Sequence, residues 1–323
     1  MKIELILKYF ILFIAIFFGG IFSYQFGKHH ATKAKTPSSI LTKLQETSKN
    51  IAVTDLSMLH LQGPIQAYVG YGDEESVEII TDDTYRKFIK VEAQNEALSI
   101  QFIDPPSLDN EKDESLIKIH ITTPNKLKRI YTYKNAKTEI NNVVSLSLIH
   151  AAGTSTVHYT SQHPQIQPLS VNVSNAASVT MQSKHINLTH LFTNSIGQAH
   201  AQGINSESLS MIATGSSSII AQGRTHFLDI SAEENALVDA DNITSDLTGI
   251  YSRDYAKVGI GQNNHAHIYA KGDSNIYTPK RKNPEQTITA YTGNRASINT
   301  SKSLELAQPA INSIKKQIAL LSE

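Results

Sequence analysis

The residues Leu169-Ser170-Val171-Asn172-Val173, Asn175-Ala176-Ala177-Ser178 and Val179-Thr180-Met181 make one unit of this chain. The residues Leu209-Ser210-Met211-Ile212, Gly215-Ser216-Ser217-Ser218 and Ile219-Ile220-Ala221 say nearly the same thing again, as do Leu228-Asp229-Ile230, Glu233-Glu234-Asn235 and Leu237-Val238-Asp239-Ala240. Aligned on their leading leucine, the units start at Leu127, Leu146, Leu169, Leu188, Leu209, Leu228 and Leu247, with a weaker start near Ala266. The steps between starts are 19, 23, 19, 21, 19, 19 and 19 residues. Self-similarity at a fixed short period marks a solenoid or another repeat array.

Period and composition choose among the arrays. Each unit alternates apolar and polar residues, is rich in Val, Ile, Thr and Ser, and is broken by Gly, Asn and Asp. A helical repeat needs two apolar runs at period 3.6 and usually about 33 residues or more. These units cannot supply that. They suit one coil of a parallel β-helix, with short strands joined by tight turns and coils stacked at about 4.8 Å. The competitor is a β-propeller or a sandwich of hairpins. A propeller blade takes about 40 residues, so two units would have to pair, and nothing here pairs in twos. The fold class read from the chain is all-β, a parallel β-helix (β-solenoid) with coils of 19–23 residues. One coil cannot bury its own inward side chains, so its neighbours must close over them. The leading leucines supply one inward ladder. Val157, Val179, Ala199, Ile219, Val238, Val258 and Ile276 supply the second.

The flanks read differently. In residues 1–26, Lys2 and Lys8 precede an apolar run from Tyr9 to Phe26, about the lower limit for a bilayer span. It reads as a signal anchor or a signal peptide, and either form exports the rest of the chain. Residues 27–50 are polar and read as a tether, with a short helix open to Ser38–Ser48. Residues 51–124 form an N-terminal β block: Ile65–Tyr71, Val77–Thr81, Ile89–Ala93, Leu98–Phe102 and Leu116–Ile121 alternate between turn signals such as Gly63-Pro64 and Asp82-Asp83. This block leads into the coils of residues 125–300 and is placed to cap one open end, where unpaired edge groups invite association. In residues 301–323, Leu304, Ala307, Ile311, Ile314, Ile318 and Leu321 fall on one stripe of an amphipathic helix. That C-terminal helix is read as a cover for the last coil or as a short coiled coil making a homo-oligomer.

Three features carry a resemblance: the apolar stretch Ile119-His120-Ile121 ending in Thr122-Thr123-Pro124, the repeated turns Ala152-Gly153-Thr154-Ser155, Asn175-Ala176-Ala177-Ser178 and Gly215-Ser216-Ser217-Ser218, and the close Gly272-Asp273-Ser274-Asn275-Ile276-Tyr277-Thr278-Pro279. From about Ile51 to Pro279 the chain resembles the bacterial auto-transporter adhesin head, or GIN, domain family. Ser195-Ile196, Glu234-Asn235 and Asp254-Tyr255 stand where that family has glycine. The resemblance implies an exported β-helical protein with an adhesive role and brings no catalytic residues.

Composition narrows the chemistry. With 29 basic and 29 acidic residues, no field for nucleic acid is implied. The chain has no cysteine and no tryptophan, so disulfides, thiolate metal sites and lipobox acylation are excluded. His265-x-His267 places two imidazoles on one side of a strand, but a convincing metal site needs a third ligand. Glu233, Glu234, Asp239 and Asp241 form an acidic cluster without a Gly-rich calcium loop, which reads as a solvated turn. Asp229, Asp239, Asp241, Asp246 and Asp254 are enough carboxylates for a glycoside-cleaving pair. Against that stand trim coils, in which only Ser161–Pro168 is inserted, and the absence of nucleotide-binding, nucleophile-elbow or zinc-protease motifs. No catalytic, cofactor-binding or metal residue is assigned, and no cofactor is expected. Outward Ser, Thr, Asn, Gln and His, with Tyr131, Tyr133, Tyr159, Tyr251, Tyr255 and Tyr269 among them, suit binding to a glycan or a protein. The chain therefore reads as a non-enzymatic cell-envelope protein, periplasmic or at the cell surface, held to the inner membrane by its N-terminal helix. A scaffold without ligand and a carbohydrate-active enzyme are the alternatives.

Overall fold

Parallel pairing, repeated coil after coil, is what the alternating units make. A computed structural model of the chain describes residues 46–103, 117–165, 167–279 and 287–299. The apolar run of residues 9–26 and the C-terminal stripe of residues 304–321 lie outside the described residues. Among the described residues no helix is long and apolar enough to cross a membrane.

Each coil has two long sides. On the first, here the leucine side, strands pair in parallel from Ala97–Phe102 through Met58–Gln62, Arg129–Lys134, Leu148–Gly153, Leu169–Val173 and Leu188–Thr193. The same ladder continues through the second halves of Gln198–Ala213, Ser218–Ala232 and Leu237–Ser252 to Asn263–Ala270 and Thr287–Thr292. On the second, the valine side, the ladder runs from Ile117–Thr123 through Ile65–Tyr71, Lys137–Asn141, Thr156–Ser161 and Ser178–Ile186. It then takes the first halves of the three long strands, Lys257–Ile260, Asn275–Tyr277 and Ser297–Asn299. The three long strands cross a short third side between the two, bending at a bulge beside Gly203 or Gly223.

The valine-side ladder holds as read. Val157, Val179, Ala199, Ile219, Val238, Val258 and Ile276 are consecutive partners, each at most 3% exposed. On the leucine side, Leu127, Leu146, Leu169, Leu188, Leu209 and Leu228 are buried, but Leu247 is 36% exposed. The reason is register. Pairing shifts between Ile220↔Asp239 and Gln222↔Asn242, so the coil of Leu237–Ser252 holds one residue more than its predecessor. Thr248 then pairs with Leu228 and takes the inward place, while Leu247 pairs with Phe227 outside. Another inward ladder lies two or three residues on from the leading positions: Ile130, Ile149, Val171, Leu191, Met211, Ile230, Ile250 and Ile268 are buried consecutive partners.

The turn from leucine side to valine side stores one left-handed residue per coil. Lys134, Gly153, Asn175, Ser195, Gly215, Glu234, Asp254, Gly272 and Asn294 all have φ between 58° and 78°. The N–H that follows donates to the left-handed residue's carbonyl one coil earlier, as in Asn235 N–H to Gly215 O at 2.9 Å and Tyr255 N–H to Glu234 O at 2.8 Å. The stacked carbonyls hold the conformation even where the side chain disfavours it. Small residues follow the turn inward: Ala136, Ser155, Ala177, Ser217, Ala236, Ala256 and Ser274 are at most 1% exposed.

Part of the stretch read as tether is strand: Glu46–Ile51 pairs antiparallel with Ser76–Asp82. Of the short helix allowed for Ser38–Ser48, Glu46 to Ser48 are strand and the rest lies outside the described residues. Residues 51–124 themselves contain solenoid coils: Met58–Tyr71 lies between the coil of Arg129–Asn141 and the outermost coil, built from Ala97–Phe102 and Ile117–Thr123. Antiparallel strands finish that end, Ser76–Asp82 on Ile117–Thr123 and Ile89–Gln94 on Ala97–Phe102. The Ile89–Gln94 strand shows solvent Lys90 and Glu92, charges that discourage edge pairing. The Asp82-Asp83 turn tightens into a single helical turn, Asp83–Arg86, capped by Asp82 Oδ1 on Thr84 N–H at 2.7 Å.

Candidate functional site

In-register stacking brings residues of successive coils, 18 to 22 apart in sequence from Tyr131 onward, to the spacing of adjacent strands, so each outward position becomes a column along the solenoid. The middle column of the leucine side runs His60, Tyr131, His150, Asn172, Phe192, Ile212, Ser231, Tyr251, Tyr269 and Tyr291. Its two ends are aromatic. Tyr251 stacks on Tyr269 at 5.4 Å between ring centres, and Tyr269 on Tyr291 at 5.1 Å, with interplanar angles of 4° and 13°. At the other end His60 and His150 approach Tyr133 at 5.0 and 5.4 Å, and His60 Nδ1 lies in hydrogen-bond contact with Ser99 Oγ at 3.2 Å. Burial lowers the pKa of both histidines, which keeps them neutral around pH 7, and burial raises that of Tyr133, Tyr131 adding to the effect. The result is a flat side with rigid rings at both ends and Phe192 and Ile212 between them.

Of the tyrosines singled out in the sequence, Tyr131, Tyr133, Tyr251 and Tyr269 gather on this side, joined by Tyr291. Tyr255 sits in the left-handed turn, 60% exposed. Tyr159, expected outside, is fully buried. It falls on the inward parity of its strand, and the inserted Ser161–Pro168 supplies its partner: Tyr159 O–H donates to Gln165 Oε1 at 2.6 Å, while Gln165 Nε2–H donates to Leu146 O at 2.5 Å. Burial pushes the Tyr159 pKa up to about 12.

The corner between valine side and third side forms a second surface. Gln182, Gln202, Gln222 and Asn242 are consecutive partners there. With Thr160, Ser161, Gln162, Ser183, Lys184, Gly203 and Gly223 they line an open groove of about 610 Å³. Alternation alone misses this groove, because the bulges that shape it interrupt the period. The recurrence of an amide about 20 residues apart at Gln182, Gln202, Gln222 and Asn242 was the available signal.

The candidate chemical residues do not converge. His265 and His267 are exposed on one side of their strand, and His265 Nδ1 contacts Thr287 Oγ1 at 2.8 Å. Among the described residues no group of three His, Asp or Glu side chains is placed to hold a metal ion. The acidic cluster divides. Glu233 pairs with Arg253 at 2.6 Å and Glu234 occupies the left-handed turn, while Asp239 and Asp241 stand in the first half of the next strand, Leu237–Ser252. The glycosidase-type carboxylates scatter in the same way: Asp229 on the leucine side, Asp239 on the valine side, Asp241 at the corner, Asp246 on the third side against His226 Nδ1 at 2.6 Å, and Asp254 in the turn. Burial raises the Asp239 pKa.

Known proteins agree with this architecture. A protein from Parabacteroides distasonis titled a putative lipid binding protein superposes with a TM-score of 0.52 at 13% identity, over 80% of this chain and 97% of its own. A putative adhesin from Parabacteroides merdae gives 0.49 at 12% identity over 80% and 97%, and another from Parabacteroides distasonis 0.47 at 14% over 80% and 98%. At such identity the likeness speaks to fold alone. No curated protein matches the chain in sequence. The family described as "Putative auto-transporter adhesin, head GIN domain" matches residues 55–281, most of the described solenoid, and the chain belongs to that family.

Proposed function

We propose that this protein is an exported, non-enzymatic binding module of the cell envelope, and that the leucine side of its solenoid makes the adhesive contact with a protein or glycan surface. The observation that carries the reading is the outward column ending in the stacked rings of Tyr251, Tyr269 and Tyr291. Tyrosine supplies large, stiff contact area with a hydroxyl at its tip and is enriched where surfaces meet. A stacked row has already given up rotamer freedom, so binding costs less ordering. The family's adhesin description favours contact over chemistry. Export is favoured by the apolar run of Tyr9–Phe26. The full chain, presented to arrays of glycans and of envelope and matrix proteins, is expected to bind a restricted set. Tyr251→Ala, Tyr269→Ala and Tyr291→Ala together are expected to weaken that binding at least tenfold with unfolding temperature little changed. Retained binding in the triple variant refutes the assignment of the face. Absence of any binding favours a scaffold without ligand.

A further inference from the structure

Beyond the tyrosine face, the corner groove has the features of a recognition site in its own right. Four amides, Gln182, Gln202, Gln222 and Asn242, stand in register on successive coils, so their spacing is that of parallel strands, about 4.8 Å. Stacked amides commonly satisfy one another, yet none of these four side chains hydrogen-bonds another described residue. In the same column one coil before Gln182, Thr160 Oγ1 is paired with Asn141 Oδ1 of the coil before that. The row therefore presents unspent donors and acceptors to whatever enters the groove. Its floor is backbone: a Cβ on Gly203 would come 1.7 Å from Ser183 O, and one on Gly223 2.2 Å from Ile204 O. Among the lining residues only Lys184 carries a charge, and no aromatic ring is present.

We propose that this groove holds a single linear, uncharged glycan laid along the solenoid axis, about one sugar ring per coil. Each amide both donates and accepts, which is what a hydroxyl requires. A chain of equatorially linked sugars advances per residue by nearly the rung spacing and turns alternate rings over, so every rung meets a ring edge and the same edge returns at every second rung. An amide, which donates and accepts, serves either edge. One cation does not serve a polyanion, which would call for a basic track. An apolar ligand is disfavoured by a lining of amides and hydroxyls. With no ring to stack on, each sugar is held weakly, and affinity accumulates with chain length until the amide row is used up.

The test is calorimetric titration of the full-length protein with β-1,4-linked glucose oligomers and, separately, β-1,4-linked N-acetylglucosamine oligomers, two to six residues long. At least one series is expected to bind, its affinity rising up to four or five residues and then levelling. Gln202→Ala with Gln222→Ala is expected to cost about tenfold, two hydrogen bonds' worth, while Lys257→Ala, exposed and outside both surfaces, leaves oligomer binding unchanged. Thermal unfolding of each variant checks that the coils remain stacked. Failure of both series to bind overturns the proposal, as does binding with no length dependence or binding indifferent to the two glutamines. Array binding that still depends on Tyr251, Tyr269 and Tyr291 would leave the tyrosine-face reading standing in any of those cases.

Discussion

At the left-handed turn a single residue decides whether one coil can sit on the next. Gly215 has φ 78°, and a Cβ there would lie 2.7 Å from Ser195 O of the coil before. Gly215→Ala is expected to cost about 2 kcal/mol or more, combining left-handed strain with that contact. Ser195→Gly, at the equivalent place with φ 58°, relieves strain but loosens the unfolded chain, so it should move stability by less than about 1 kcal/mol. Chemical denaturation of the two variants checks the pair, and equal costs would contradict the stacking account. Tyr159 makes a second residue-scale prediction. Its pKa is raised to about 12 in the fold against about 10 when unfolded, so its contribution is complete below pH 10 and disappears as pH climbs toward 12. Tyr159→Phe should flatten the stability profile in that window, at a cost near neutrality of about 1 kcal/mol for the lost partner of Gln165. An unchanged alkaline slope would place the ring outside the core.

Elements are fixed by register more than by composition, and the two leucines Leu228 and Leu247 separate the effects. Both lead a unit in the sequence, but only Leu228 points inward. Leu228→Ala is expected to cost about 2–4 kcal/mol and Leu247→Ala less than about 1 kcal/mol; urea midpoints measure both, and similar losses would mean that the register is misplaced. The leucine-led alignment, with steps of 19 to 23 residues, carried the inward assignment correctly as far as Leu228. The additional residue in the coil of Leu237–Ser252 sits at a bulge beside Asp241, where no apolar period exists to reveal it. The buried ladder of Ile130, Ile149, Val171, Leu191, Met211, Ile230, Ile250 and Ile268 was present in the sequence two or three residues on from the leading positions. The order of coils in residues 51–124 was not legible, since Met58–Tyr71 pairs with strands far away in sequence on both of its sides. Local periodicity says that a strand exists, not which neighbour it chooses.

For the solenoid as a whole, function depends on side chains from separate coils arriving in one column. The parity of Tyr251 and Tyr269 put them outward from sequence alone. Their meeting with Tyr291 within stacking distance required the register, as did the row of Gln182, Gln202, Gln222 and Asn242. Tyr159 shows the converse, an outward reading overturned by the inward parity it shares with Val157, with the inserted loop supplying its buried partner. The absence of cysteine gives a clean measurement of that register. Lys137 and Lys257 are exposed and lie in one column, linked through Thr156, Ser178, Gln198, Ser218 and Leu237. With Lys137→Cys and Lys257→Cys spin-labelled, electron–electron resonance should give one narrow distance near 29 Å, which is six steps of about 4.8 Å. A broad distribution, or a distance below about 20 Å or above about 40 Å, would contradict in-register parallel coils and remove both proposed recognition surfaces with them.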